Sequence, residues 1–128
     1  MNVSSHKYKI LIAEDVAPLA LRMRHALENR GYEVMVVTDG VECLRVAAEI
    51  KPDLLILDLL MPKMNGIDVL KKIRGSQEIP DLAVMVCTAK DFSTEMKQVK
   101  EFGVVDVLIK PFKHDALVEK VDRYFGRD

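Results

Sequence analysis

The stretch LLILDLLMPKMNG, residues 54–66, contains the feature that decides the fold. Its first four residues are apolar, and a short continuous run of this kind is typical of a strand covered on both faces, as in parallel sheets. The run ends in a carboxylate, Asp58, and a Met-Pro step and an Asn-Gly turn follow. That position raises the question of why a buried strand ends on a charge.

Four further apolar runs of similar length lie on either side of this stretch. They are ILIA (10–13), VMVV (34–37), LAVMVC (82–87) and VVDVLI (104–109). Segments with helical spacing separate the runs and follow the last one, so the elements alternate as βαβαβαβαβα. This order predicts an α/β fold with a doubly wound parallel sheet and right-handed crossovers. Because no repeat, linker or low-complexity segment interrupts it, the sequence predicts one domain over residues 1–128.

Each helical segment carries an apolar stripe, which predicts the face that packs on the sheet. The stripes are Leu19, Met23, Ala26, Leu27 and Arg30; Val41, Leu44, Ala47 and Ala48; Ile67, Leu70 and Ile73; Met96, Val99 and Phe102; and Leu117, Val118, Val121, Tyr124 and Phe125. Gly31, Gly75 and Gly103 stand where the first, third and fourth helices are expected to end.

The composition indicates a globular domain with no strong charge of either sign. Of the 128 residues, 49% are hydrophobic and 30% are charged, and the net charge is −1. This balance gives no basic surface for nucleic acid or anionic lipid. The chain has only two cysteines, which favours a reduced, cytoplasmic setting. The first apolar stretch is too short for a signal peptide and no run reaches membrane length, so we expect no membrane partner.

Polar side chains lie at the ends of the predicted strands. Glu14 and Asp15 follow the first strand, Asp58 the third and Thr88 the fourth, and Lys110 ends the fifth. In open α/β sheets, ligands bind beyond the carboxyl ends of the strands. We therefore expect three carboxylates, one hydroxyl and one lysine to gather at one rim of the sheet.

Clustered carboxylates repel one another unless a cation joins them. Hard oxygens with few protein ligands suit Mg²⁺, which keeps several waters and shares its other positions with a phosphate. A carboxylate is also a competent nucleophile toward phosphorus and gives an aspartyl phosphate. The pattern predicts Asp58 as phosphoryl acceptor, Glu14 and Asp15 as metal ligands, and Thr88 and Lys110 as groups that hold phosphate oxygens.

Four motifs at strand ends resemble those of response-regulator receiver domains, the phospho-acceptor part of two-component signalling. They are LIAED (11–15), LLILDLLMPKMNG (54–66), VCTAKD (86–91) and LIKPF (108–112). The resemblance covers nearly the whole chain. It implies a flavodoxin-like five-stranded parallel sheet in the order 2-1-3-4-5 with five helices.

The resemblance also implies roles for the acidic residues. Asp58 resembles the phosphorylated aspartate, and Asp15 resembles the direct Mg²⁺ ligand. Glu14 resembles the acid that reaches the metal through water, and its extra methylene relative to the more usual Asp suits an indirect role. The backbone carbonyl of Leu60 is implied as a further metal ligand.

Thr88 and Lys110 resemble the family's switch hydroxyl and phosphate-binding lysine, and the Lys110–Pro111 peptide is expected to be cis by analogy. The family often has Tyr or Phe three residues before this lysine, as an aromatic side chain that turns inward on activation. Val107 stands there and is stiff at χ1. We therefore expect switching to proceed through Thr88 and the loop of residues 89–94.

By resemblance, the chain works in a two-component phosphorelay. The phosphoryl donor is expected to be a sensor histidine kinase or a histidine phosphotransfer protein. A downstream output domain or protein is expected to read the change, at the face formed by the fourth helix, fifth strand and fifth helix. The domain is not expected to be an enzyme beyond catalysing its own phosphorylation and dephosphorylation.

Other functions fit the residues less well. A flavodoxin-like FMN carrier needs a hydroxyl-rich first loop, whereas AEDVAP (13–18) is acidic and repels phosphate. A phosphatase of the haloacid dehalogenase class needs a second acid two residues after its aspartate, where Leu60 stands. Walker and dinucleotide glycine motifs are absent. The remaining alternative is a receiver-like interaction module that acts without phosphorylation.

Taken singly, each site residue also has a purely structural explanation. Asp58 could be a turn or cap residue, as could Thr88, and Lys110 could be a surface charge. Glu14 and Asp15 could simply favour a helix N-terminus.

Three other positions near the predicted rim have simpler interpretations. Gly66 could serve backbone conformation only. Asn65 stands where the family commonly has Asp, which is a mild change. Residues 38–39, Thr and Asp, follow the second run, and an edge strand could hold them away from the site.

Overall fold

Five strands and five helices alternate along residues 7–89 and 93–127, which the computed structural model describes. The strands are β1 (Lys9–Ala13), β2 (Glu33–Val37), β3 (Leu54–Asp58), β4 (Val84–Ala89) and β5 (Asp106–Lys110). The helices are α1 (Ala17–Glu28), α2 (Gly40–Ile50), α3 (Gly66–Arg74), α4 (Ser93–Glu101) and α5 (His114–Tyr124). The predicted alternation is confirmed. The predicted loop of residues 89–94 lies partly outside the described residues.

All strands are parallel, in the order β2-β1-β3-β4-β5, so the predicted flavodoxin-like order is confirmed. β4 and β5 each begin two residues later than the apolar runs that predicted them. Leu82 is buried in the loop before β4, so its apolar character reflects burial without strand pairing. The carboxyl ends of all five strands therefore share one rim.

Two apolar layers cover the two faces of the sheet. Helices α2, α3 and α4 cover one face, where Leu11, Leu55 and Val86 are buried. Helices α1 and α5 cover the other face, where Ile12 and Ile56 are buried. Burial on both faces accounts for the continuous apolar character of the strands.

Most residues of the predicted stripes pack on the sheet, including Leu44 and Ala47 of α2, but Val41 of α2 and Tyr124 of α5 are exposed. Val41 was placed on the packed face and is 52% exposed, whereas Cys43 and Val46 are buried. The packed face of α2 starts at Gly40, directly after the capping residue Asp39, and follows i, i+3, i+6 and i+7. The stripe of α1 was likewise too long, because the helix ends at Glu28.

The amino-terminal pole of the sheet, opposite the rim, is held by a polar and aromatic cluster. Asp122 of α5 is 4% exposed and accepts hydrogen bonds from the Tyr32 hydroxyl at 2.5 Å and from Arg30 Nε at 2.9 Å. Burial and the nearby Asp122 raise the pKa of Tyr32 to about 12. Tyr8 stacks on Phe125 with ring centroids 4.1 Å apart. Residues from both ends of the described chain therefore meet at this pole.

Arg74, at the end of α3, joins three segments through its guanidinium group. It donates to the carbonyl oxygens of Phe102 at 2.6 Å, Leu82 at 2.7 Å and Pro80 at 3.1 Å. The first carbonyl belongs to the α4–β5 connection and the other two to the α3–β4 connection. This side chain replaces backbone hydrogen bonds that two irregular segments lack.

Within the described residues, no helix combines the length and apolar character that crossing a membrane requires.

Candidate acidic site

The rim brings together three of the charged residues predicted from the sequence. Lys110 Nζ, at the end of β5, lies 2.7 Å from Glu14 Oε1 and 3.0 Å from Asp58 Oδ2. Glu14 follows β1 and Asp58 ends β3, so the lysine reaches across β4 to Asp58 and past β3 to Glu14. The explanation of Lys110 as a surface charge is wrong, because its side chain is only 22% exposed and joins two buried carboxylates.

Glu14, Asp15 and Asp58 can also converge on a common point. One carboxylate oxygen from each lies within 4.8 Å of the others. Glu14 is 1% exposed and Asp58 is 5% exposed, whereas Asp15 faces solvent. Two buried acids with one exposed acid make a pocket of hard oxygen ligands that is open on one side, which suits a hydrated divalent cation.

Local hydrogen bonds fix both buried carboxylates. Glu14 Oε2 accepts from the N–H of Val16 at 3.1 Å, and Asp58 Oδ1 accepts from the N–H of Leu60 at 3.1 Å. The second contact is of the turn type that was considered for Asp58, but the other oxygen of this carboxylate contacts Lys110. The residue therefore shapes the turn and also presents an oxygen to the rim.

Burial and charge oppose each other in this cluster. Burial raises the pKa of the Glu14 carboxyl, and the negative charge of Asp58 adds to the increase, although Lys110 counteracts it. Burial alone lowers the pKa of Lys110, but its hydrogen bonds to Glu14 and Asp58 outweigh burial and raise the pKa. The ammonium group therefore stays charged and compensates part of the negative charge.

Thr88 lies on β4, one residue beyond Cys87, which is the register partner of Asp58. Its side chain is 1% exposed, and its hydroxyl donates to the carbonyl of Ala89 at 3.4 Å. It is buried within a strand and does not cap a helix. The hydroxyl thus lies on the strand next to the acid, as the sequence predicted.

Three further positions near the rim, Lys110–Pro111, Asp39 and Asn65, have structural roles. The Lys110–Pro111 peptide is cis, as expected. Asp39, after the edge strand β2, caps α2 through a hydrogen bond from the N–H of Glu42 at 2.8 Å and takes no part in the acidic cluster of the described residues. Asn65 caps α3 in the same way, accepting from the N–H of Asp68 at 2.9 Å.

The explanation of Gly66 by backbone conformation is wrong. Its φ is not positive, and its requirement is one of space. A Cβ atom there would lie 2.7 Å from the carbonyl oxygen of Asp58 and 2.6 Å from Leu59 Cα. The glycine thus lets α3 begin directly against the residue at the centre of the rim.

Sequence reasoning missed Gly40 and Lys63, which lie beside the rim. Gly40 lies beneath the loop between β3 and α3, and Lys63 has φ +69 within that loop. A glycine directly after a capping residue was the available signal for the first. No sequence signal marks the left-handed conformation of a lysine.

The fold and rim define a flavodoxin-like α/β domain with an acidic site at the carboxyl ends of its strands. The family model described as response regulator receiver domain matches residues 10–122. The chain therefore belongs to the response regulator receiver domain family and is a receiver domain of two-component signalling.

Two mycobacterial response regulators support this assignment. The chain is 36% identical over 115 residues to the DNA-binding response regulator MtrA of Mycobacterium tuberculosis, covering 90% of this chain and 49% of MtrA. It is 34% identical over 113 residues to the response regulator MprA of the same species, covering 88% of this chain and 48% of MprA. The chain thus spans about half the length of these relatives.

Solved structures show the same fold. The chemotaxis response regulator CheY4 of Vibrio cholerae matches with a TM-score of 0.84 at 28% identity, covering 92% of this chain and 98% of that one. The receiver domain of the sensor histidine kinase PA1611 from Pseudomonas aeruginosa matches with a TM-score of 0.84 at 26% identity, covering 94% and 99%. That structure has a magnesium ion coordinated in its active site cleft.

Proposed function

We propose that the chain, taken as one receiver domain, accepts a phosphoryl group on Asp58 from a phosphohistidine and thereby switches its affinity for a partner. The observation that carries this proposal is the contact of Lys110 with both Asp58 and Glu14 beneath an exposed third acid. A carboxylate that is held by a lysine next to a possible cation site is equipped to attack an anionic phosphoryl group.

The donor set fits Mg²⁺. Carboxylate oxygens of Glu14, Asp15 and Asp58, together with the Leu60 backbone carbonyl, are the residues that would hold the ion. When bound, Mg²⁺ supplies positive charge that neutralises the phosphoryl oxygens. Its presence in the PA1611 receiver domain supports the same assignment here.

The transfer itself uses this chain's own groups. A carboxylate oxygen of Asp58 attacks phosphorus, the P–N bond of the donor phosphohistidine breaks, and the imidazole nitrogen keeps the bonding electron pair. The product is an acyl phosphate. Lys110 and the Thr88 hydroxyl then donate hydrogen bonds to phosphate oxygens, which draws Thr88 toward the rim. The domain is thus proposed to catalyse its own phosphorylation, and its later hydrolysis, and no other reaction.

Phosphorylation with a small donor tests this proposal most directly. Purified protein incubated with acetyl phosphate and Mg²⁺ is expected to gain one phosphoryl group by intact mass, and EDTA should prevent the gain. The adduct should be lost in hydroxylamine, as acyl phosphates are. Protein that remains unmodified with Mg²⁺ present would favour the alternative, an interaction module that acts without phosphorylation.

The proposed partners follow from the family. Receiver domains of response regulators exchange signals with histidine kinases and output domains. We infer that a cytoplasmic histidine kinase domain or histidine phosphotransfer protein donates to this chain. An output domain or a separate protein reads the switch at the face of α4, β5 and α5.

Metal binding gives a sharper prediction. Replacing Asp15 with alanine is expected to weaken Mg²⁺ affinity by roughly tenfold or more, because a charged ligand is lost. Leu60→Ala should change affinity by less than about twofold, because it keeps the backbone carbonyl that is proposed to bind. The chain has no tryptophan, so NMR titration of backbone amides is the practical measurement. Unchanged Mg²⁺ affinity in Asp15→Ala would refute the site. Asp15→Ala should be at least as stable as the wild-type protein, because the substitution removes one of three clustered negative charges.

Switching gives a second prediction for NMR. Val107 is half-buried on the α4 side of β5 and its branched side chain cannot make a large aromatic swing. Beryllofluoride, a mimic of the phosphoryl group, should therefore change amide shifts mainly in residues 88–94. Changes confined to the loop of residues 14–16 would contradict this prediction and indicate binding without a switch.

A further inference from the structure

The loop between β3 and α3, residues 59–65, is pinned at its base. Gly66 donates its N–H to the Leu59 carbonyl at 2.9 Å and packs against the backbone of Asp58. Leu60, whose carbonyl is a proposed metal ligand, lies within this loop. Within the loop, the Leu60 N–H donates to Asp58 Oδ1 at 3.1 Å and the Met64 N–H donates to the Pro62 carbonyl at 2.8 Å. These short-range bonds leave the orientation of the loop relative to the helices to contacts made further along it.

Those further contacts are made with Gly40, the first residue of α2. A Cβ atom on Gly40 would collide with the carbonyl oxygen of Met64 and lie 2.7 Å from Met64 Cβ and 2.9 Å from Val69 Cγ2. The N–H of Gly40 also donates to the Pro62 carbonyl at 3.5 Å. Backbone therefore packs on backbone, and any side chain at Gly40 must displace the loop.

Lys63 adds a second tie at the middle of the loop. Its φ of +69 is in the left-handed region, which is unfavourable for a residue with a side chain. Its ammonium group lies 3.6 Å from Asp39 Oδ2, and Asp39 is the residue that caps α2. The side chain is 68% exposed, so substitutions of Lys63 affect the loop and not the core.

We propose that Gly40 and Lys63 are positioning residues that hold the β3–α3 loop against α2 and thereby keep the Leu60 carbonyl in place for Mg²⁺. This inference rests on the proposed function, because it assigns the loop to the metal site. Neither residue is a metal ligand or touches the phosphoryl group. Both act through the backbone path from residue 60 to residue 64.

A pair of substitutions at Lys63 tests the proposal. Lys63→Gly and Lys63→Val both remove the ammonium group, so they change the charge near the acids equally. Glycine tolerates a positive φ, whereas β-branched valine strongly disfavours it. Lys63→Val should bind Mg²⁺ roughly fivefold more weakly than Lys63→Gly in an NMR titration, because its loop must leave the left-handed conformation.

An NMR spectrum recorded without Mg²⁺ provides an independent test of the loop position. The Leu60 N–H donates to Asp58 Oδ1, so its amide shift reports the start of the loop. We expect this shift to move in Lys63→Val and to stay close to its wild-type position in Lys63→Gly. A general loss of stability would not separate the two variants in this way.

Gly40→Ala is the second variant, with Gly75→Ala as its matched control. A Cβ at Gly75 meets only the Lys71 carbonyl at 3.4 Å, and its φ is −89. Gly40→Ala should weaken Mg²⁺ binding roughly tenfold, as loss of supporting contacts does at other metal sites, while Gly75→Ala leaves it unchanged. Thermal unfolding of both variants shows how much of each is folded during the titration.

The Lys63 pair decides the outcome even if Gly40→Ala does not fold. Equal Mg²⁺ affinities and equal Leu60 amide shifts in the two Lys63 variants would overturn the positioning role. If the wild-type protein itself fails to bind Mg²⁺, the proposed function fails together with this inference. Binding by wild type with no difference between the variants rejects the positioning role alone.

Discussion

Asp58→Asn is expected to reduce phosphorylation by acetyl phosphate to background. The substitution keeps the size and shape of the side chain, and its carbonyl oxygen can still accept from the Leu60 N–H. It removes the nucleophilic charge, and an amide does not form an acyl phosphate with this donor. The wild-type protein should gain one phosphoryl group by intact mass under the same conditions, and the asparagine variant none.

Asp53→Asn is the matched control, because it makes the same change at the opposite end of β3. Asp53 Oδ2 accepts from the N–H of Lys9 at 2.7 Å, far along the strand from the rim, and an asparagine oxygen can accept the same bond. Phosphorylation of this variant should equal that of wild type. A phosphoryl group that persists in Asp58→Asn, located by peptide mapping on another residue, would show that the acceptor has been assigned wrongly.

Arg74→Ala should cause a large loss of stability at a distance from the acidic site. Three carbonyl oxygens, of Phe102, Leu82 and Pro80, would lose a charged donor at 2.6 to 3.1 Å. Hydrogen bonds to charged groups contribute about 1.5–3 kcal/mol each, but these three bonds are only partly buried, so the freed carbonyls regain water in part. We expect the free energy of unfolding to fall by about 3 kcal/mol.

Urea denaturation measures this loss of stability, and two further variants serve as controls. Lys72→Ala removes an exposed positive charge from the same helix and should change stability by no more than about 0.5 kcal/mol. Arg74→Lys keeps the charge but cannot reach three carbonyls at once. Its free energy of unfolding should therefore lie between those of wild type and Arg74→Ala. A loss below about 1 kcal/mol in Arg74→Ala would mean that the connections hold their shape without the guanidinium.

The sequence was most informative where geometry follows from strand direction alone. Parallel strands place their carboxyl ends at one rim, so an acid, a hydroxyl and a lysine at those ends had to approach one another. The contacts of Lys110 with Glu14 and Asp58 confirm that reasoning for the lysine and the acids, whereas the approach of the Thr88 hydroxyl stays a prediction. The buried runs likewise predicted the strands, because covered strands are apolar throughout.

Features that depend on contacts between irregular segments were not predictable in this way. The carbonyl partners of Arg74 are set by how two loops close, which leaves no periodic pattern in the sequence. Val41 of α2 was placed on the packed face because it is as apolar as the residues that pack, and its exposure depends on how the helix lies on the sheet. Gly40 was missed because the need for a glycine comes from a distant contact, the backbone of Met64 that packs against it.

The stacking of Tyr8 on Phe125 has a practical consequence for biosensors. Because these residues lie side by side at the pole away from the acidic rim, a tag near either one would tether the protein with its reactive face outward. Docking of the proposed phosphoryl donor could then be recorded on a chip without shielding by the support. For the same reason, a pair of fluorophores at residues 8 and 125 would be poor reporters of the proposed switch, since both lie at the pole opposite the rim.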